Sequence, residues 1–76
     1  MIDVPLQTAS ELGALIRARR KALAVTQTEL AGLSGVGVRF IVELERGKPT
    51  LELGKVLRVL ERLGVQILAR HDAESA

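Results

Sequence analysis

The stretch Thr26–Lys48, TQTELAGLSGVGVRFIVELERGK, carries the signals of two short helices joined by a tight turn. Thr26 and Glu29 form a capping box, a pattern that marks the N-terminus of a helix. Gly35 ends this helix, because glycine adopts the left-handed backbone that a helix C-terminus often needs. The apolar side of the helix is expected to consist of Leu30, Ala31 and Leu33.

The second helix of the stretch is predicted to start at Gly37 and to run over Val38–Arg46, where Gly47 stops it. Pro49 follows two residues later and cannot continue a helix. Two short helices separated by a glycine-containing turn of about three to four residues are the helix-turn-helix arrangement. The internal core of the motif is expected to consist of Leu30, Ala31, Val36, Ile41 and Leu44.

Three motifs resemble the Xre/lambda-repressor class of bacterial DNA-binding domains: T-Q-x-E-L-A at Thr26–Ala31, G-V at Gly35–Val36 and I-x-x-L-E-x-G-K at Ile41–Lys48. The resemblance covers about Thr8–Leu63 and implies a mainly all-α, lambda-repressor-like domain of four helices. The segment GKPTLELGKVLRVLERLGVQI looks more narrowly like the HipB-type antitoxins, whose last helix runs into a short strand that pairs across a dimer. This narrower likeness rests on the Gly47–Thr50 loop and on the terminal strand.

Length and charge agree with a small domain that meets an anionic partner. The chain has 76 residues, a size at which a lone core is marginal and oligomerisation often supplies the missing burial. The hydrophobic fraction is 47% and nearly all aliphatic, which is ample for a helical core and suggests a partner surface as well. The net charge is only +2, but the basic residues cluster locally. They are Arg17, Arg19, Arg20 and Lys21 in helix one, and Arg39, Arg46 and Lys48 in the motif.

No catalytic or cofactor-binding pattern is present in the sequence. The absence of cysteine excludes a disulfide framework and a thiolate metal site, and His71 is the single histidine. Glu43 and Glu45 are two residues apart on a helix, so they point in different directions and cannot act as a catalytic pair. We therefore expect no enzyme activity, no metal and no cofactor.

The sequence also lacks membrane and export signals. No apolar run approaches the ~18 residues that a membrane span needs, and the start MIDVPLQT lacks the regions of a signal peptide. A cytoplasmic protein with no membrane partner is therefore expected, and the resemblance implies a bacterial, nucleoid-associated one.

The N-terminal half begins with an arm and a first helix. Residues 1–7 are expected to form a flexible arm, and the helix-turn-helix domain is expected to span residues 8–70. Thr8 and Glu11 form a second capping box, so helix one is predicted to start there and to run to about Ala22. Its apolar face is expected to consist of Leu12, Leu15, Ile16 and Leu23.

Helix four is predicted over Leu51–Leu63 with Thr50 as its cap. Close helix approach is the expected reason for Gly54 in its interior, because glycine there costs roughly 1 kcal/mol against alanine. Leu51 and Val59 are expected to lie outside the core stripe and to serve a second contact. The stripe itself is expected to consist of Leu53, Val56, Leu57, Leu60 and Leu63.

The segment Val65–Arg70, VQILAR, is predicted to be a β-strand that follows Gly64. A lone strand has no partner in its own chain, so antiparallel pairing with its copy in a twofold homodimer is the favoured solution. The alternative is that these residues extend helix four or fold back on the core. Residues 71–76 are expected to be a disordered tail. The dimerisation residues are Val65, Gln66, Ile67, Leu68 and Ala69.

In a helix-turn-helix, the second helix of the motif enters the major groove of double-stranded DNA with its N-terminal residues on base edges. Arg39 is expected to hold a guanine or a phosphate, Glu43 to accept from a cytosine amino group, and Val38 to touch a thymine methyl. Phe40 is assigned either to the core or to a partner contact. The expected DNA-binding residues are Thr26, Gln27, Gly37, Val38, Arg39, Val42, Glu43, Arg46 and Lys48.

The resemblance assigns roles to three further positions. It implies that Gln27 contacts the DNA backbone, against the alternative of a plain second residue in a capped helix. It also implies that Arg20 and Glu45 form a structural ion pair rather than reading DNA. The family more often has polar residues where Val38, Phe40 and Val42 stand, which weakens the case for base-specific hydrogen bonds from these positions.

These observations predict a dimeric transcriptional repressor that binds a palindromic operator. The narrower resemblance implies a HipB-like antitoxin that represses its own toxin–antitoxin operon and binds a HipA-like serine/threonine kinase toxin. One alternative is a phage-type or restriction-control regulator outside any toxin system. The other is a protein-interaction module that keeps the fold and reads no DNA.

Overall fold

The computed structural model describes residues 1–73. Four helices account for its regular structure: α1 (Ala9–Ala22), α2 (Gln27–Ser34), α3 (Val38–Glu45) and α4 (Leu53–Arg62). The predicted all-α, four-helix class is confirmed.

Both predicted capping boxes are present. The Thr8 hydroxyl accepts from the Glu11 amide at 3.1 Å, and the Thr26 hydroxyl accepts from the Glu29 amide at 3.0 Å. In each box the glutamate carboxylate accepts in return from the backbone of the cap residue, so two otherwise unpaired amides are satisfied. Gly35 ends α2 with φ +67°, the left-handed conformation that its position predicts.

One hydrophobic core joins the four helices. Full burial of an aliphatic side chain is worth about 1.5–3 kcal/mol, so this core is the main stabilising term. Phe40 and Val36 are half-buried and pack against its edge, which agrees with the core contact expected for Phe40. The buried members are Ile16, Leu30, Ala31, Ile41, Leu44, Val56, Val59, Leu60 and Leu63.

The backbones of α1 and α3 touch at Gly13. A β-carbon on Gly13 would overlap the carbonyl oxygen of Leu44 and come within 2.8 Å of that of Glu45. Gly47 makes a similar contact, since its φ is +85° and an added β-carbon would lie 2.7 Å from the α-carbon of Ser10. These two glycines fix α1 against the C-terminal end of α3.

The predicted core stripe of α4 is correct at Val56, Leu60 and Leu63 and wrong at Leu53 and Leu57. The helix begins at Leu53 with Glu52 as its cap, not Thr50. Leu53 and Leu57 are 66% and 43% exposed, while Val59 is fully buried. The helix has apolar residues on two sides, and the stripe that faces the core is Val56, Val59, Leu60 and Leu63.

Three other sequence interpretations are also corrected. Leu33 is 58% exposed, and Ser34 is buried at the end of α2. Leu23 is 43% exposed because it lies beyond the last turn of α1 as its C-cap. Gly54 makes no close helix approach, since an added β-carbon would find only the Glu52 carboxylate, at 3.9 Å.

The two ends of the described chain have no regular structure. Residues 1–7 are exposed, and Asp3 lies 4.0 Å from Arg70, which brings the ends together. Residues 65–70 form no strand within the described part of the chain, because a strand requires a hydrogen-bonded neighbour. Their pairing across a dimer stays a prediction. Of the predicted tail, residues 74–76 lie outside the described residues.

Candidate nucleic-acid interface

α3 has one buried side and one exposed side. Ile41 and Leu44, three residues apart, are buried and hold the helix on the core. The opposite side repeats at i, i+3, i+4 and i+7, the spacing of a single helical face. We call this side the outward face of α3; it consists of Arg39, Val42, Glu43 and Arg46.

The first turn of α3 lies beside this face. Gly37 is the N-cap, and no side chain among residues 1–73 caps it, so the first amides of α3 have no side-chain acceptor. Val38 is 46% exposed and remains available for an apolar contact. Phe40 points away toward α4, where the Lys55 ammonium lies 5.9 Å from its ring centroid.

Glu43 joins two of the expected DNA-contacting cations. Its Oε2 lies 3.0 Å from Lys48 Nζ and 3.9 Å from Arg39 Nε. The hydrogen bond from Lys48 lowers the pKa of Glu43, and the positive charges of Lys48 and Arg39 add to the effect. Glu43 is therefore an anion at neutral pH and is already paired in the protein without DNA. The Arg39–Glu43 part of this cluster follows from their i, i+4 spacing, whereas the contact with Lys48 has no such local signal.

The start of α2 brings together the two remaining expected contacts. The Thr26 hydroxyl accepts from the Glu29 amide and still has its own proton to donate. Gln27 Nε2 donates to Glu45 Oε1 at 3.1 Å, so this amide is held in place by the end of α3. The plain reading of Gln27 as a second helix residue therefore omits a contact, and its role toward DNA stays a prediction.

Arg20 and Glu45 form the ion pair that the resemblance implies. Arg20 Nε donates to Glu45 Oε2 at 2.6 Å and Arg20 Nη2 to Oε1 at 3.0 Å, a bidentate arrangement. Arg20 Nη1 also donates to the Val25 carbonyl at 2.9 Å. The two side chains are only 10% and 4% exposed. Together with Gln27, this cluster fixes α1, the start of α2 and the end of α3 relative to one another.

Arg19 has a structural role that the sequence did not reveal. Its Nε donates to the Leu63 carbonyl at 2.9 Å, so it satisfies an acceptor at the C-terminal end of α4. Arg17 and Lys21 are exposed and available to solvent or to an anion. Of the four neighbouring basic residues in α1, Arg19 and Arg20 thus make structural contacts, whereas Arg17 and Lys21 face solvent.

The described residues contain neither a metal-binding cluster nor a membrane-spanning helix. Within residues 1–73, no three His, Asp or Glu side chains lie close enough to hold a metal ion. Among the helices of the same residues, none is long and apolar enough to cross a bilayer.

A helix-turn-helix family model matches residues 16–69, more than half of the chain. The chain belongs to the Xre-type helix-turn-helix family. A relative from Sinorhizobium fredii (strain NBRC 101917 / NGR234), the "Uncharacterized HTH-type transcriptional regulator y4mF", is 55% identical over 62 residues, or 82% of each protein. The chain is thus a transcriptional regulator of a DNA-binding family, and that family is not one of enzymes.

Solved structures show the same fold. A chain in the structure of a HipA-HipB-O2-O3 complex superimposes with a TM-score of 0.83 at 19% identity, covering 91% of this chain and 97% of that one. The restriction-modification controller protein C.AhdI from Aeromonas hydrophila gives a TM-score of 0.69 at 28% identity, covering 76% and 88%. The first likeness concerns the fold alone.

Proposed function

We propose that this protein is a dimeric, sequence-specific repressor that acts as the HipB-like antitoxin of a toxin–antitoxin operon. In this proposal it represses its own promoter in the bacterial cytoplasm, at the nucleoid, and binds a HipA-like serine/threonine kinase toxin. The fold similarity supports it, because it extends over nearly the whole of both chains, into the segment that follows α4.

The observation that carries DNA binding is the outward face of α3. Its polar and basic side chains are held clear of the core while the opposite side is anchored by Ile41 and Leu44. A helix presented in this way fits the major groove, where Arg39 suits a guanine edge and Val38 a thymine methyl. The groups that flank the helix fix its register on phosphates. They are Thr26, Gln27, Arg46 and Lys48.

An exposed apolar surface supports the homodimer. Leu53 and Leu57 project from α4, and Ile67 and Leu68 in the following segment are 60% and 73% exposed. Apolar side chains of this size are seldom left in water together in a small domain unless they meet a partner. Pairing of residues 65–70 with their copy would bring Ile67 and Leu68 of both protomers together, and the dimer would place two α3 helices about 34 Å apart on a palindromic operator.

The proposal is tested by a gel shift of the purified protein on its own upstream DNA, with competitor DNA and at two salt concentrations. We expect two protomers per palindrome, and affinity that falls by ~0.9 log unit per neutralised phosphate for each log unit of salt.

Arg39→Ala should weaken operator binding more than random-DNA binding; equal losses would assign Arg39 to the DNA backbone. No specific shift would leave the proposal without support.

Ile67→Lys is expected to convert the dimer into a folded monomer. The lysine would place a positive charge among the apolar side chains of the two paired strands. Light scattering measures the mass, and circular dichroism checks that the helices persist. Ala73→Lys is the matched control, since it adds the same charge beyond the predicted strand and should leave the mass unchanged. A dimeric mass for Ile67→Lys would contradict strand pairing.

Two alternatives have specific support. The 28% identity to C.AhdI favours a restriction-control regulator outside a toxin system, and mapping the bound operator would separate it from an antitoxin. The exposed Val38 and the half-buried Val42 favour a protein-interaction module without DNA readout. That second alternative predicts no specific, salt-sensitive shift in the gel.

A further inference from the structure

The outward face of α3 holds a negative charge where DNA phosphates would approach. Glu43 has a side chain that is 26% exposed, and its Oε2 pairs with Lys48 and, more loosely, with Arg39. The Lys48 side chain is 45% exposed and that of Arg39 is 83% exposed, so both cations can also reach outward. The same two cations are therefore shared between an internal carboxylate and any bound nucleic acid.

The pairing of Glu43 with Lys48 and Arg39 weakens the binding of DNA of arbitrary sequence. A phosphate that recruits Lys48 competes with the Glu43 carboxylate for the ammonium, and a carboxylate that loses this partner lies among phosphates of the same sign. Neither the loss of the ion pair nor the repulsion between the carboxylate and the phosphates is offset unless Glu43 accepts a hydrogen bond from a new donor. In the major groove, donors of this kind are the amino groups of cytosine and adenine.

We propose that Glu43 is a specificity-determining residue that withholds Lys48, and secondarily Arg39, from the phosphates of non-cognate DNA. At a cognate site a base amino group takes over the Glu43 carboxylate, and Lys48 is freed to bind the backbone. This inference rests on the proposed DNA-binding function and deepens it. Discrimination here comes from a penalty on the wrong sequence as well as from a contact with the right one.

The remaining cation of the outward face of α3 is not restrained in this way. Arg46, on the same face, has no ion-pair partner among residues 1–73 and is exposed. It can supply the sequence-independent attraction that brings the protein to DNA. Glu43 therefore controls only the phosphate contacts of Lys48 and Arg39, so its effect on DNA affinity can be measured separately from that of Arg46.

Glu43→Gln tests the inference on a random duplex and on the operator. We expect random-DNA affinity to rise about threefold to tenfold, and the salt dependence to steepen by ~0.9 for each phosphate newly contacted. Operator affinity should rise less, so that the ratio of operator to random-DNA affinity falls. Glu61→Gln on α4 is the control, because it removes the same charge from an exposed position without an ion pair in the described residues. Equal gains from both variants would overturn the inference.

Lys48→Gln tests whether the gain in random-DNA affinity caused by Glu43→Gln depends on the Lys48 ammonium. In the wild-type background this change should lower random-DNA affinity only in part, because Lys48 is shared with Glu43. In the Glu43→Gln background it should remove most of the gain. A gain that persists without Lys48 would reduce Glu43 to a simple repulsive charge and overturn the withholding mechanism. Wild-type protein with no operator preference would instead count against the proposed function, while the random-duplex comparison remains interpretable.

Discussion

Gly13→Ala is expected to lower the free energy of unfolding by about 3 kcal/mol or more, the upper part of the range for overpacking. The added methyl group would overlap the Leu44 carbonyl and lie 2.8 Å from that of Glu45. Both atoms belong to the backbone of α3, so no side chain can rotate away, and α1 must separate from α3. Urea unfolding measures the change as a lower midpoint.

Gly32→Ala provides the matched control for this prediction. Gly32 lies within α2, and an added β-carbon there would have no neighbour within 4 Å. Alanine is the better helix former by roughly 1 kcal/mol, so this variant should unfold at a higher urea concentration. If Gly13→Ala were as stable as Gly32→Ala, the close contact between α1 and α3 would be refuted.

Gly13 within α1 and Gly54 in the first turn of α4 show which features cannot be predicted from the local sequence. Gly13 and Gly54 have the same local appearance, and close approach was inferred for Gly54. The structure contradicts the inference for Gly54, which is exposed, and the close approach occurs instead at Gly13, for which the sequence predicted none. Helix periods and caps are local properties of the chain, but the point at which two helices cross is a property of the whole packing.

The same limit explains the error on α4. The caps of α1 and α2 could be predicted from their capping-box residues. Apart from Leu23, the apolar faces of α1 and α3 could be predicted because each helix has polar residues opposite its apolar ones. In α4 apolar residues occupy two sides, so the 3.6-residue period fits a stripe with Leu57 as well as one with Val59. Only the space left by the other three helices selects Val59 for the core. The exposed Leu57 is therefore a candidate for a contact with a partner and not a member of the core.

Within the candidate interface, placement was predictable, but only the pairs that follow helical spacing or the family resemblance were predictable as well. Position on the motif sufficed to put Arg39 and Glu43 on the outward face of α3. The contacts of Lys48 with Glu43 and of Gln27 with Glu45 span a loop and a helix junction, where no periodic rule applies. The strand pairing predicted for residues 65–70 depends on a second chain, so a single chain cannot display it.

Arg20→Met is expected to cost about 3–5 kcal/mol, because it leaves the buried Glu45 carboxylate without its main partner. The Val25 carbonyl loses a donor as well. Arg39→Met is the control, since the Arg39 side chain is 83% exposed and its 3.9 Å pair with Glu43, at the surface, should add little to stability. Urea unfolding at neutral pH measures both variants. Similar small losses would show that the Arg20–Glu45 pair adds little to stability.

The pH dependence separates the loss of charge pairing from a mere loss of packing. Burial alone would raise the pKa of Glu45, but the hydrogen bonds from Arg20 and Gln27 outweigh it and lower the pKa below its ordinary value of 4.5. A lowered pKa in the folded state means that the pair stabilises the protein above about pH 4.5 and that this stability is lost as pH falls through the folded pKa. Arg20→Met has no such pair to lose, so its deficit against the wild type should narrow on acidification. A deficit that stays constant down to the folded pKa and below it would assign the cost to packing of the arginine stem instead.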